Sequence, residues 1–293
     1  MERIPNSDFT VPNCYVVCGP TASGKSEVSD VLAERLTERC GRPVPTIVVD
    51  SMQIYRELPI ITNQVRRREA ELVGVVPVGE EWSVAAHRAR VGELVATKDV
   101  FVLDAGTGMY LNAILLDFAL APRVSPELRR VAGEESADAT NPRRAARERE
   151  LELAGAEPRG SVWEGNLRYG TSMIYLRPSR DVVDAAISVR SRRIARDGLG
   201  EAETLRAMLA RGEKVNPPVR DSVGVRELLQ HLSGEITLDQ AEDLIAARTR
   251  RLARRQIRWF DKLVNALEGR AAITILEEPK QDNLHYMHDI IGA

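Results

Sequence analysis

Apolar residues cluster in short runs along this chain, and the segments after several of those runs carry the polar, turn-forming positions. Residues 14–18 (CYVVC) enter a Gly-rich turn, and 27–37 then shows the i, i+3, i+4 spacing of a helix. Residues 45–50 (PTIVVD) form a second β-branched run that ends in a carboxylate. Residues 99–104 (DVFVLD) form a third, followed by another Gly-rich turn and a helical segment over 109–118. Between 121 and 170 the pattern breaks: Pro122, Pro126, Pro142 and Pro158 stand among many charges and few apolar residues. That stretch reads as a helical excursion outside the core. A fourth strand candidate, 171–176, returns the chain to the core, and helical spacing follows over 181–195, 201–211, 223–232 and 238 to about 267. A last strand is expected at 272–276. Strand, turn and helix in this alternation predict a parallel sheet with crossover helices. Ligands of such sheets sit beyond the strand C-termini, where all three turns would lie.

Composition narrows the class. At 293 residues the chain can bury one large or two modest cores, and 41 basic against 43 acidic side chains give a net charge of −2. Wholesale polycation behaviour is excluded, while local basic patches stay possible. Cys14, Cys18 and Cys40 make an odd count without a second Cys/His pair, so buried free thiols are expected rather than zinc. His87, His231, His285 and His288 are scattered and read as surface or core residues, and Trp82 and Trp163 as packing anchors. No leader-like segment and no membrane-length apolar run is evident, which sets a cytoplasmic, non-membrane expectation.

The strongest chemical signal is Gly19-Pro20-Thr21-Ala22-Ser23-Gly24-Lys25-Ser26, a complete G-x-x-x-x-G-K-S after a predicted strand and before a predicted helix. Such a loop aims backbone N–H groups and a helix N-terminus at phosphate oxygens. Lys25 adds charge, and the Ser26 hydroxyl suits Mg²⁺. The fold class that follows is α/β: a P-loop NTPase-like parallel sheet core (12–120 and 171–270), a small helical insertion (121–170) and a tail (271–293). Facing the loop across the crevice would be Asp50-Ser51-Met52-Gln53-Ile54-Tyr55-Arg56 at the second strand's end. Asp50 suits Mg²⁺ ligation or proton acceptance from an attacking group; capping the next helix is the structural alternative. Residues 100–104 imitate a Walker-B strand, which opens a small-molecule kinase reading with Asp104 on the metal.

The last long helix carries its own message. At about 100° per residue, Arg248, Arg250, Arg251, Arg254, Arg255 and Arg258 fall on one half, and Leu252, Ala253, Ile257, Trp259, Phe260 and Leu263 on the other. An almost purely cationic face suits a phosphate backbone; ion pairs with acidic neighbours are the alternative. Arg66, Arg67 and Arg68 form a second charge run, read as a solvated face or part of an acceptor rim.

Together, residues 19–26 and 50–56 closely resemble the tRNA dimethylallyltransferase family. The resemblance continues at Ala105-Gly106-Thr107-Gly108-Met109-Tyr110-Leu111, at Leu176-Arg177-Pro178-Ser179-Arg180 with Arg190 beyond, and at residues 222–227 (SVGVRE). It closes with 249–260 (TRRLARRQIRWF), the blocks standing in family order over most of 14–262. The resemblance implies attack by an adenine N6 amine on C1 of dimethylallyl diphosphate, with tRNA as acceptor and Mg²⁺ as cofactor. It implies that Asp50 takes the amine proton, Thr21 touches the bridging oxygen and Arg190 grips the diphosphate. Gly19, Pro20, Ala22, Ser23, Gly24, Lys25 and Ser26 would hold the donor, Ser26 also the metal. Ser51, Gln53, Arg56, Thr62, Asn63, Gly106, Thr107, Arg250, Arg254, Arg255, Gln256 and Trp259 would serve the acceptor. A monomer is expected.

Three departures from the family pattern bear on the acceptor. The family's Asp-Ile-Gly-Thr-Ala-Lys is replaced by Pro59-Ile60-Ile61-Thr62-Asn63-Gln64, closer to plant adenylate isopentenyltransferases, which makes a free adenine nucleotide the alternative acceptor. The insertion is shorter between Arg130 and Asn141, and Asp104 stands where the family usually has Gly. Gln256, Trp259 and the 222–227 block weigh toward tRNA.

Overall fold

The computed structural model describes residues 13–122, 124–140, 142–155 and 161–277. The chain divides into two compact units, one of residues up to 115 together with those from 167 onward, the other Leu116–Asn166.

The larger unit is built on five strands: β1 (Cys14–Cys18), β2 (Thr46–Val49), β3 (Phe101–Ala105), β4 (Thr171–Leu176) and β5 (Ala272–Leu276). Every pairing is parallel, in the order β2-β3-β1-β4-β5, so the P-loop strand lies at the centre. β1 to β4 are buried at every residue, which is why they read as continuous apolar runs rather than alternating ones. Helix α1 (Lys25–Cys40) packs Leu32, Ala33 and Leu36 against Tyr15, Val17, Val102 and Ile174 of the sheet. It runs from residue 25 to a left-handed Gly41, three residues past the expected end.

Helix α2 (Val84–Val95) was not legible as a helix in the sequence pattern; Ser83 caps it by accepting from Ala86 N. Its His87 is buried, and Trp82 Nε1 donates to His87 Nδ1 at 3.0 Å. Burial pushes this imidazole down to about 4, so it is a neutral core residue at physiological pH. α3 (Gly108–Leu115) follows β3 and stops three residues before its expected end.

The smaller unit contains α4 (Pro126–Glu135) and α5 (Pro142–Leu153). They pack together and are laced by surface ion pairs such as Arg149–Glu135 (2.5 Å) and Arg130–Glu134 (2.8 Å), consistent with the charge-rich sequence. Asn141 lies outside the described residues.

Beyond β4 come α6 (Arg180–Asp197), α7 (Leu199–Ala210), α8 (Pro217–Arg220), α9 (Val225–Leu232) and α10 (Leu238–Leu267). α10 starts in a capping box of Thr237 and Gln240 and packs along α6. The residues after 277, with His285 and His288, lie outside the described ones. No helix among the described residues is long and apolar enough to cross a membrane.

Candidate active site

The turns after β1, β2 and β3 meet as the parallel register requires, around a cavity of about 300 Å³. One wall is the P-loop: Thr21, Ala22, Gly24, Lys25 and Ser26 line it, with Ala22 held at φ +64°. A non-glycine in that region carries roughly 1 kcal/mol of strain, which the surrounding turn must hold. Ser23 is 4% exposed, and its Oγ has no hydrogen-bond partner among the described residues. Lys25 Nζ donates to Pro20 O at 2.7 Å. Burial lowers the pKa of Lys25, and the charges of Asp104 and Asp50 oppose that fall.

Opposite stands Asp50. Its Oδ1 accepts from Met52 N (2.8 Å) and Gln53 N (3.3 Å), which closes a turn and occupies one oxygen. No helix starts there, the next being α2, so the helix-capping alternative does not hold. The other, Oδ2, lies beside Gly106, where a Cβ would come within 2.5 Å of it. Only a glycine leaves the carboxylate that position. Burial raises the pKa of Asp50, against the two amides and Lys25, which lower it. A carboxylate with a raised pKa, aimed across a cavity at a cationic anion cradle, is suited to accept a proton.

The remaining walls come from farther along the chain. Arg190 on α6 lines the cavity; burial lowers its pKa and the Asp50 charge opposes this. Gln53 lines it too, with a buried Oε1 that has no partner among the described residues. Asn63 and Val65 line it from the segment after β2, Asn63 at φ +58°.

Several residues expected to serve the acceptor have structural partners of their own, Gln256 while also lining the cavity. Gln256 Oε1 accepts from Thr21 N (2.8 Å) and its Nε2 donates to Gly106 O (2.7 Å), so this side chain ties the P-loop to the turn after β3. Trp259 donates from Nε1 to Asn112 Oδ1 (3.1 Å) and packs against Gly108, where a Cβ would come within 2.2 Å of its ring. Thr62 is buried and donates to Leu58 O (2.6 Å). Thr107 Oγ1 accepts from Ser51 N (3.1 Å), joining the turns after β2 and β3. Arg56 is exposed and donates to Val75 O (3.1 Å). All five have a structural partner, which a pattern of residue types cannot reveal.

The arginine helix divides likewise. Arg248 and Arg250, at the two margins of the cationic arc, are drawn into pairs, Arg248 with Glu227 and Arg250 with Ser188 (3.1 Å) and Asp184 (3.6 Å). Arg251, Arg254, Arg255 and Arg258, in the middle of the arc, are exposed and have no ion-pair or hydrogen-bond partner among the described residues. The ion-pair alternative holds at the margins and fails at the centre.

Arg66 is a correction. It is no solvated face: its side chain is 4% exposed and donates to Asp104 Oδ2 (2.5 Å) and Asp30 Oδ1 (2.7 Å). One oxygen of Asp104 is thereby engaged by a guanidinium, and Asp104 is not among the residues that line the cavity, which weighs against the Walker-B kinase reading.

A parallel sheet with a P-loop at its central strand and a buried carboxylate across the crevice defines a P-loop α/β protein. Comparison with known proteins makes this specific. The IPP transferase family model matches residues 53–151 and 134–263. A tRNA dimethylallyltransferase of Rubrobacter xylanophilus is 58% identical over 94% of this chain and 97% of its own length; that of Kineococcus radiotolerans is 32% identical over 83% and 86%. The chain belongs to the IPP transferase family. Its fold is also that of the full-length tRNA isopentenylpyrophosphate transferase of Bacillus halodurans (TM-score 0.69, 24% identity, 96% of both chains). A eukaryotic dimethylallyltransferase acting on tRNA shares it as well (TM-score 0.72, 19% identity, 96% of this chain and 78% of that one).

Proposed function

We propose that this protein transfers the dimethylallyl group of dimethylallyl diphosphate to the N6 amine of an adenosine in the anticodon loop of tRNA, position 37. The observation that carries the reading is the free Oδ2 of Asp50 beside Gly106, facing the P-loop across one cavity. Family membership and the names of the relatives support tRNA as acceptor, and so do the four arginines of α10 that have no partner among the described residues.

The reaction balances as a substitution at carbon. The adenine nitrogen forms a bond to C1 as the C1–O bond breaks, diphosphate leaves into the P-loop, and the amine proton passes to Asp50 Oδ2. Lys25, Arg190 and the P-loop amides stabilise the charge that grows on the departing diphosphate; Thr21, which lines the same cavity, would contact the bridging oxygen. Fixed charges and dipoles do this without reorganising, which makes electrostatics the main contribution. Gln53 Oε1, buried and unpaired among the described residues, would accept from the amine and orient it.

The donor set also fits Mg²⁺, because Ser26 presents a hard hydroxyl oxygen to the cavity. Among the described residues no cluster of three or more His, Cys, Asp or Glu could hold a metal. Ser26 would therefore hold it together with the donor's own phosphate oxygens, and the ion would neutralise leaving-group charge.

The test is to incubate the protein with dimethylallyl diphosphate and Mg²⁺, offering unmodified tRNA, AMP, ADP and ATP in parallel. Mass spectrometry should find the five-carbon unit on tRNA adenosine. Modification of a free nucleotide with tRNA untouched would overturn the acceptor assignment, and no modification of any would overturn the transferase reading.

A further inference from the structure

Two of the departures from the family pattern, Asp104 and the segment at 59–64, meet through one side chain. Arg66 stands two residues beyond that segment and reaches three places. Its Nη1 donates to Asp104 Oδ2 on β3 (2.5 Å), and its Nη2 donates to Asp30 Oδ1 (2.7 Å) and to the backbone O of Ser26 (3.3 Å), both on α1. The side chains of Arg66, Asp30 and Asp104 are 4%, 2% and 3% exposed. The planar guanidinium serves the two carboxylates from two separate nitrogens in a fixed fork, a geometry that the single nitrogen of an ammonium does not reproduce.

The segment is fixed at its other end as well. Glu201 on α7 accepts from Ile60 N (2.6 Å) and Ile61 N (2.9 Å), one oxygen to each amide. Between the two clamps, Gln64 Nε2 donates to Tyr55 O (2.7 Å) and to Thr62 Oγ1 (2.9 Å). The residues so held, Asn63 and Val65, line the cavity opposite the P-loop.

We propose that Arg66, with Asp30 and Asp104, is a positioning device: it locks the cavity wall formed by Asn63 and Val65 to the first turn of the P-loop helix, so that donor cradle and acceptor wall keep one spacing. Arg66 touches neither substrate. Its effect passes through Ser26, whose carbonyl it holds, and through Val65, its neighbour in the chain. Asp104, where the family usually has glycine, gives the buried guanidinium its partner on β3, while Arg66 Nε has no hydrogen-bond partner among the described residues. The inference rests on the transferase reading for its kinetic consequence but not for its structural one.

The test uses two variants. Arg66→Lys keeps the charge and loses the fork. Arg66→Gln combined with Asp30→Asn and Asp104→Asn removes all three charges while leaving groups that can hydrogen-bond, and it decides the question should Arg66→Lys fail to fold. Each is assayed below its melting temperature for kcat and for KM of both substrates, and by amide hydrogen exchange over residues 60–68. A positioning role gives about a tenfold or larger fall in kcat in a folded protein, with smaller changes in either KM, and faster exchange confined to 60–68. A folded variant with wild-type kcat and unchanged exchange over 60–68 would overturn the proposal. A wild-type protein that transfers nothing would defeat the transferase reading instead, and the exchange measurement would still decide whether the lock exists.

Discussion

The two sides of the cavity are built by different means. The P-loop side is local: eight consecutive residues, six between β1 and α1 and the first two of α1, set the backbone. The acceptor side is assembled from distant pieces: residues 59–66 are held by Glu201 at one end and by Asp30 and Asp104 at the other. Gln256, 150 residues from Gly106 in the chain, joins the two sides. A locally determined wall can be read from a motif; a wall fixed by remote partners cannot, and it is also the wall that differs from the family pattern. Donor chemistry and acceptor geometry can therefore vary separately within one fold.

The largest effect should come from the carboxylate where the two sides face each other. Asp50→Ala should cut transfer by on the order of 10³-fold with donor binding retained, as expected on loss of a general base. Wild-type transfer should be full above the raised pKa of Asp50 and fall as pH drops through it, because only the ionised form accepts a proton. Single-turnover rates against pH measure both. A variant with undiminished rate would remove Asp50 from the reaction.

Gly106→Ala probes the space rather than the group. A methyl within 2.5 Å of Asp50 Oδ2 must displace it, so transfer should fall by roughly 10²-fold while the protein folds and binds donor. If rate survives, Oδ2 does not need the position described.

The outer face of α10 tests the acceptor alone. Arg254→Ala with Arg255→Ala should raise KM for tRNA about tenfold and lower the salt dependence of binding by about two phosphate contacts. Donor affinity should stay unchanged, since neither side chain lines the cavity. Equal loss for donor and tRNA would break the division between the two sides.

The mildest change is Glu201→Gln, which keeps one acceptor for the amides of Ile60 and Ile61 and loses the charge. Urea denaturation should show a loss of about 1 kcal/mol, and the loss of kcat should be small unless Asn63 shifts with its backbone. No loss of stability at all would mean that the clamp on residues 60 and 61 is not needed.

Much of this was legible in the sequence, for identifiable reasons. All five strands were found within two residues at either end, β1 to β4 because continuous apolar runs in a buried parallel sheet leave an unambiguous trace. α2 was missed, since its polar Arg88, Arg90 and Glu93 and its small alanines blur the apolar stripe that Val91 and Val95 form. The P-loop and Asp50 stand where the motifs put them, each motif being a strand end. Gln256, Trp259 and Thr62 were placed by the family resemblance and Arg66 by its charge run, and neither says which partner a side chain meets. The arginine helix was half legible: its periodicity gave the face, but not that Glu227 and Asp184 take up its margins.

The central claim is that the P-loop holds a group that departs while Asp50 faces the nitrogen that arrives. A crystal structure with Mg²⁺, tRNA and an unreactive thiolo analogue of dimethylallyl diphosphate tests it most directly. The diphosphate should lie on the backbone amides of residues 22–26 beside Lys25, with C1 between it and an adenine N6 within hydrogen-bond reach of Asp50 Oδ2. Diphosphate bound away from that loop, or an Asp50 carboxylate turned from the base, would contradict it.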